Sequence, residues 1–152
     1  MYQISAFGVN MKLYVAGFLF NETRDQVVLI KKNRPDWQKG RLNGIGGHVE
    51  PGESVRNAMS REFSEEAGMF IAPSSWNEIV QLNVGTVAQI HFFWAIGDVR
   101  LVRSTTDEVV DVHPVRALPE TSHRNLRWLI PMCLDTDLQF PIKIIDNAVH
   151  KC

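Results

Sequence analysis

Apolar runs of strand length stand before, between and after two helical stretches in this chain, and that order constrains the fold more than any other feature. Residues 13 to 20 and 26 to 31 are rich in Val, Leu, Phe and Tyr, with five polar residues between them. They predict two strands joined by a short loop, a plausible hairpin. Residues 78 to 84 and 88 to 97 predict two more, the second almost continuously apolar from Ile90 to Ile96. Shorter strands are expected at 108 to 112 and from Phe140 to Ile145. The implied class is α/β (α+β), a mixed sheet with helices packed on it in three layers. At 152 residues, 45% hydrophobic and 22% charged, the chain fits one domain over 1–152 with a single sizeable core.

From Ser54 to Ala67 the periodicity becomes helical. Pro51-Gly52 precedes it, Ser54 is a candidate cap, and Gly68 is a good terminator. A second helix is expected to be capped by Thr121 or Ser122 and to run through Leu126, Leu129, Ile130 and Cys133, with Pro131 ending or kinking it. Between the first strands and the first helix, a polar and basic stretch from Lys32 to Gly40 leads into Arg41 to Val49, where glycine density predicts extended backbone with tight turns.

The formal net charge of -1 offers no general attraction for nucleic acid or an anionic membrane, so neither is an expected partner. Any phosphate ligand must be held by local chemistry. The apolar stretch from Met11 to Phe20 is too short to span a bilayer, and polar Asn21 to Asp25 follow where a cleavage site would need small residues. It reads as a buried strand. Only Cys133 and Cys152 occur, which is not a disulfide framework, and a reducing cytoplasm fits. Five scattered histidines have no zinc spacing, and His91 reads as a satisfied core histidine.

At 100° per residue, Val55, Ala58 and Met59 form the core-facing stripe of the first helix. Glu62, Glu65 and Glu66 continue it at i, i+3 and i+4, so the face passes from apolar to acidic. Three close carboxylates repel one another and sit near the negative end of the helix dipole. Arg61 can offset part of that. The remainder is either a solvated acidic face or a set of hard oxygen ligands for a divalent cation such as Mg²⁺.

Gly46-Gly47 upstream allows close approach of backbone to a ligand, and Glu53 stands at the start of the helix. Read together, residues 47 to 69, GHVEPGESVRNAMSREFSEEAGM, match the Nudix box at every defined position: Gly47, Glu53, Arg61, Glu62, apolar Phe63, Glu65, Glu66, Gly68 and apolar Met69. The chain therefore resembles the Nudix hydrolases. The resemblance implies an α/β/α sandwich with the family's loop-helix-loop. It further implies Mg²⁺, with Mn²⁺ as a substitute, held against a diphosphate by Glu62, Glu65 and Glu66. By the same resemblance Arg61 orients a box glutamate, Gly47 offers backbone contacts, and Glu53 is a supporting ligand or proton acceptor. A further ligand or base is implied in a later loop, assigned to Glu108 with Asp107 as competitor. The implied reaction is attack of water on phosphorus with cleavage of a pyrophosphate bond, for a nucleoside triphosphate giving monophosphate and pyrophosphate.

Residues 42 to 47, Leu-Asn-Gly-Ile-Gly-Gly, also resemble the Trp-Asn-Gly-Phe-Gly-Gly run of MutT-type triphosphatases acting on oxidised purines. Asn43 could read a purine edge there, or serve only as a turn residue. Leu42 and His48 depart from that group, which has tryptophan and often lysine at these places. Asn125 resembles a residue aimed at the base, and would equally suit a helix cap. Among the basic residues Lys31, Lys32, Arg34, Lys39 and Arg41, none is singled out by sequence. A small-molecule nucleotide is the expected partner of a monomer or homodimer. Sugar nucleotides, dinucleoside polyphosphates and a non-catalytic nucleotide sensor are the alternatives.

Overall fold

The computed structural model describes residues 2–4 and 10–147. In chain order it contains β1 (Tyr2–Ile4), β2 (Asn10–Phe20), β3 (Gln26–Lys31), β4 (Leu42–Asn43), β5 (Ile45–His48), α1 (Val55–Ala67), β6 (Asn77–Val84), β7 (Ala88–Ile96), β8 (Val109–Pro114), α2 (Leu126–Leu134) and β9 (Ile142–Asp146). The sheet runs β4-β3-β2-β7-β6-β9, with β1 and β5 also paired to β2 and β8 paired to β3. The β2–β7 and β6–β9 pairs are parallel and the others antiparallel, which is the mixed sheet expected from the order of elements. Among the described residues no helix is long and apolar enough to cross a membrane.

The apolar runs are explained by what covers the sheet. Leu13, Val15 and Leu19 of β2, Val28 and Ile30 of β3, and Phe93 and Ala95 of β7 pack with Ala58, Met59 and Phe63 of α1. Their sequence neighbours Phe18, Phe20, Val27, Leu29 and Phe92 pack on the other face with Leu126, Leu129 and Ile130 of α2. Side chains alternate across a strand, so a strand covered on both faces needs apolar residues at every position. Each fully buried Phe or Leu contributes about 1.5–3 kcal/mol relative to exposure.

Several boundaries differ from the sequence expectation. The two strands of the expected hairpin, β2 and β3, are neighbours but share only the Phe20↔Val27 rung, because β2 spends its length on β7 and β5. Neither Thr121 nor Ser122 caps α2. Both are taken by backbone pairing with β4: Leu42 N–H donates to the Thr121 carbonyl, and His123 N–H to the Leu42 carbonyl. The helix starts at Leu126 and continues through Pro131 to Leu134. The third strand after α1 begins at Val109, leaving Glu108 just outside β8, and β9 lies one to two residues later than expected. His91 is buried between the Glu78 carboxylate and the Gln89 side chain, as a satisfied core histidine should be. Cys133 is buried on the inner face of α2, and Cys152 lies outside the described residues.

Candidate active site

Ser54 sets the phase of α1. Its hydroxyl accepts the Asn57 N–H at 3.1 Å, and Gly68 closes the helix in the left-handed region at φ 64°. With Ala58, Met59, Phe63 and Ala67 turned to the sheet, Glu62 is carried over the β5 backbone and becomes buried, while Glu65 points outward with its side chain 59% exposed. Close approach at β5 requires glycine. A Cβ on Gly47 would stand 2.5 Å from Glu62 Oε1, so the carboxylate occupies the space that any side chain would need.

Arg61 gathers the acids on its side of the helix. Its Nε donates to Glu53 Oε2 at 2.8 Å and its NH2 to Glu53 Oε1 at 3.0 Å. The same guanidinium reaches Glu62 Oε1 at 3.0 Å, Glu65 Oε2 at 3.2 Å and the His48 carbonyl at 2.9 Å. A planar fork with five donors suits this multiple role, which an ammonium could not fill. Glu53 is therefore a partner of Arg61, held below its ordinary value first by that hydrogen bond, and it also accepts the Glu50 N–H.

Glu108 lies outside the helix, just before β8. It is only 4% exposed, Oε2 accepts the Asn33 N–H at 2.6 Å, and Oε1 accepts from Lys32 Nζ at 3.0 Å. Burial works to raise its carboxyl, but Asn33, Lys32 and Arg34 together hold it below the ordinary value. Asp107, the competing acid, is 61% exposed and paired with Arg34 at 2.6 Å. Of the two, Glu108 is the one whose charge bears on Glu66. Of the basic run, Lys32 and Arg34 reach these two acids. Lys32 is opposite Glu108 because the antiparallel β3–β8 ladder pairs Lys31 with Val109, and one further step brings the next two residues together. No pattern within either segment signals that register.

The two asparagines separate. Asn43 is spent on its own turn, with Oδ1 accepting the Gly44 N–H at 2.8 Å and Nδ2 donating to Gln38 at 3.1 Å. Asn125 is buried at the start of α2 and its side chain makes no capping bond. The pairing of Leu42 with Thr121 to His123 brings the strand of Asn43 alongside the segment leading to Asn125, with Trp37 edge-on to His123.

Glu66 is the acid with the least protein compensation. Its Oε2 is buried and has no hydrogen-bond partner. Burial pushes its carboxyl up to about 7, with Glu62 and Glu108 pushing further up, and Lys32 and a hydrogen bond from the Gly46 backbone pulling down. Burial likewise raises Glu62 against the pull of Arg61. Between the ordinary value of 4.5 and about 7, the folded chain holds a proton on Glu66 that the unfolded chain has released. That contribution to stability is complete below pH 4.5 and is lost as pH rises through 7. Metal-free protein should therefore melt roughly 3–6 °C lower at pH 8 than at pH 5, and Glu66→Gln should flatten the slope. A thermal scan of both proteins across that range checks it.

Among the described residues no three Asp, Glu, His or Cys side chains already converge as a metal-holding group. Glu53, Glu62 and Glu65 are turned to Arg61 instead, and Glu108 to Lys32. The residues nevertheless fit a hard divalent cation. Glu66 presents an unsatisfied buried oxygen, Glu62 lies over a backbone without side chains, the buried Glu108 carboxylate acts on Glu66, and every donor is oxygen.

The NUDIX domain model matches residues 11–132. An uncharacterized Nudix hydrolase of Bacillus subtilis strain 168, YvcI, is 42% identical over 50 residues, which make up 33% of this chain and 29% of that protein. The chain thus spans less than a third of that relative's length. Two solved structures share the fold. A NUDIX hydrolase from Nitrosomonas europaea aligns with a TM-score of 0.69 at 15% identity, covering 97% of this chain and 94% of its own. A mutator MutT protein from Bacillus halodurans aligns with a TM-score of 0.65 at 19% identity, covering 84% of both chains.

Proposed function

The chain belongs to the NUDIX family, and from that premise we propose that it is a metal-dependent pyrophosphohydrolase acting on nucleoside diphosphate derivatives, foremost nucleoside triphosphates. The products are then a monophosphate and pyrophosphate, with Mg²⁺ as the ion and Mn²⁺ as its substitute. The observation that carries this reading is the unpartnered buried oxygen of Glu66, whose carboxyl feels the negative charges of Glu62 and Glu108 against the pull of Lys32.

A divalent ion held there would polarise the phosphoryl oxygens and lower the pKa of a bound water. The chain's own groups do the rest. Glu62, Glu65 and Glu66 supply ligand oxygens, and Arg61 fixes Glu53, Glu62 and Glu65 in position. The side-chain-free Gly47 backbone lets the Glu62 carboxylate lie close over β5. Glu108, anchored by Asn33, is placed to serve as a ligand or to take the proton of the attacking water. Asn125 supports a nucleotide as the substrate, since its buried amide is not spent on capping α2. Asn43 supports it less, its amide being engaged within its own turn. Residues 1–152 acting as one domain in a reducing cytoplasm complete the proposal.

The test is a panel of nucleoside triphosphates with ordinary and oxidised bases, sugar nucleotides and dinucleoside polyphosphates, assayed with Mg²⁺ and with Mn²⁺. Pyrophosphate release from at least one triphosphate is the expected result. Turnover confined to the other diphosphates would reassign the substrate, and binding without any turnover would leave a nucleotide sensor.

A further inference from the structure

Two cations divide the acids of the site between them. Arg61 serves Glu53, Glu62 and Glu65, whereas Lys32 serves Glu108 directly and acts on Glu66 through space. Their attachments differ in kind. Arg61 is fixed by five acceptor contacts, including the His48 carbonyl. Lys32 makes one side-chain contact, its ammonium at 3.0 Å from Glu108 Oε1. A flexible stem ending in a compact point charge can change partner without rearranging its surroundings.

Glu108 is built for such an exchange. Asn33 N–H anchors Oε2 at 2.6 Å, so Oε1 is the oxygen free to take another ligand, with Arg34 standing back at 3.9 Å. A divalent ion among Glu62, Glu66 and Glu108 and the Lys32 ammonium would compete for the same oxygen and repel each other. A released lysine beside a site for a polyphosphate meets phosphoryl oxygens as its next acceptors.

We propose that Lys32 is the internal counter-ion of the metal-free site, leaving Glu108 when a divalent cation binds and turning to a phosphate of the substrate. This inference rests on the metal-dependent reading given above. It makes Lys32 a positioning residue for Glu108 in one state and a substrate contact in the other. Metal loading then precedes tight substrate binding, because it frees the lysine.

The experiment is Mn²⁺ binding to substrate-free protein, followed by the paramagnetic resonance signal of the free ion. Lys32→Met should bind Mn²⁺ about tenfold more tightly than wild type, since the acids lose their competing charge. Lys32→Arg, which retains the charge, should stay within about twofold. Equal or weaker Mn²⁺ binding by Lys32→Met would overturn the proposal. Should that variant fail to fold, the unaltered protein decides. Acetic anhydride labelling of Lys32, read by mass spectrometry, should rise when Mg²⁺ is added, and unchanged or reduced labelling would overturn it. Wild-type protein that neither binds Mn²⁺ nor hydrolyses any member of the panel defeats the metal-dependent reading and this inference together. Wild-type protein that does both, with Lys32 indifferent to metal, defeats this inference alone.

Discussion

Glu65→Gln is expected to lower turnover of the preferred substrate by roughly 10²–10⁴-fold while leaving the melting temperature nearly unchanged. The two halves of that expectation have separate causes. Glu65 is the most open of the helix acids, with its side chain 59% exposed and tied to Arg61 by a single contact at 3.2 Å. A solvent-screened contact of this kind contributes about 0–1 kcal/mol, so the fold does not depend on it. Catalysis would, because glutamine keeps the shape but gives up the negative charge that a hard cation or a transferred proton requires. Steady-state kinetics and a thermal melt of the same preparation measure both. An active Glu65→Gln enzyme would remove Glu65 from the machinery, and an unfolded one would show that the helix needs its charge.

The second large effect separates two adjacent glycines. Gly46→Ala should abolish folding, at a cost of more than about 4 kcal/mol. Its Cβ would stand 1.8 Å from the Val15 carbonyl oxygen and 2.7 Å from the Ala16 Cα, both backbone atoms of the central strand β2. That strand is clamped between β5 and β7 and cannot retreat. Gly47→Ala meets instead the far end of the Glu62 side chain, at 2.5–2.7 Å. A side chain can swing away, so the protein should fold, but the displaced carboxylate leaves its place over β5. We expect metal affinity to fall about 10–100-fold, as for the loss of a group that orients a ligand. Soluble yield and circular dichroism test the first substitution, and Mn²⁺ titration the second.

The helix that carries the acids was legible in the sequence because its determinants are local. Ser54, the apolar spacing through Met59 and the terminating Gly68 act within a few residues of themselves, and the structure places the helix within one residue of the expected start. The strands were legible for a similar reason, since their apolar runs record burial on both faces. The start of α2 was not. Thr121 and Ser122 carry good capping side chains, yet their backbone is committed to Leu42, nearly eighty positions away in the chain, and a local rule cannot weigh such a partner. The same distance hid Lys32. One of five basic residues in its stretch, it is distinguished only by the β3–β8 register that sets it opposite Glu108. Asn43 and Asn125, alike on paper, were told apart by what surrounds them, one bonded to its own turn and the other buried without a capping bond.

By itself, then, the sequence determined the chemistry available: a capped helix bearing Arg61, Glu62, Glu65 and Glu66 in register, a glycine pair before it, and membership of the fold that presents them. Helical spacing and steric need for glycine are properties of short segments, so they can be read without knowing the partners. Only the tertiary structure decided how the charges are shared. Burial made Glu66 the unsatisfied acid, sheet register gave Glu108 its lysine, and the close approach of β5 to α1 gave Glu62 its place over Gly47. Those outcomes depend on desolvation and on contacts between distant segments, which are set when the sheet and helix pack and not before.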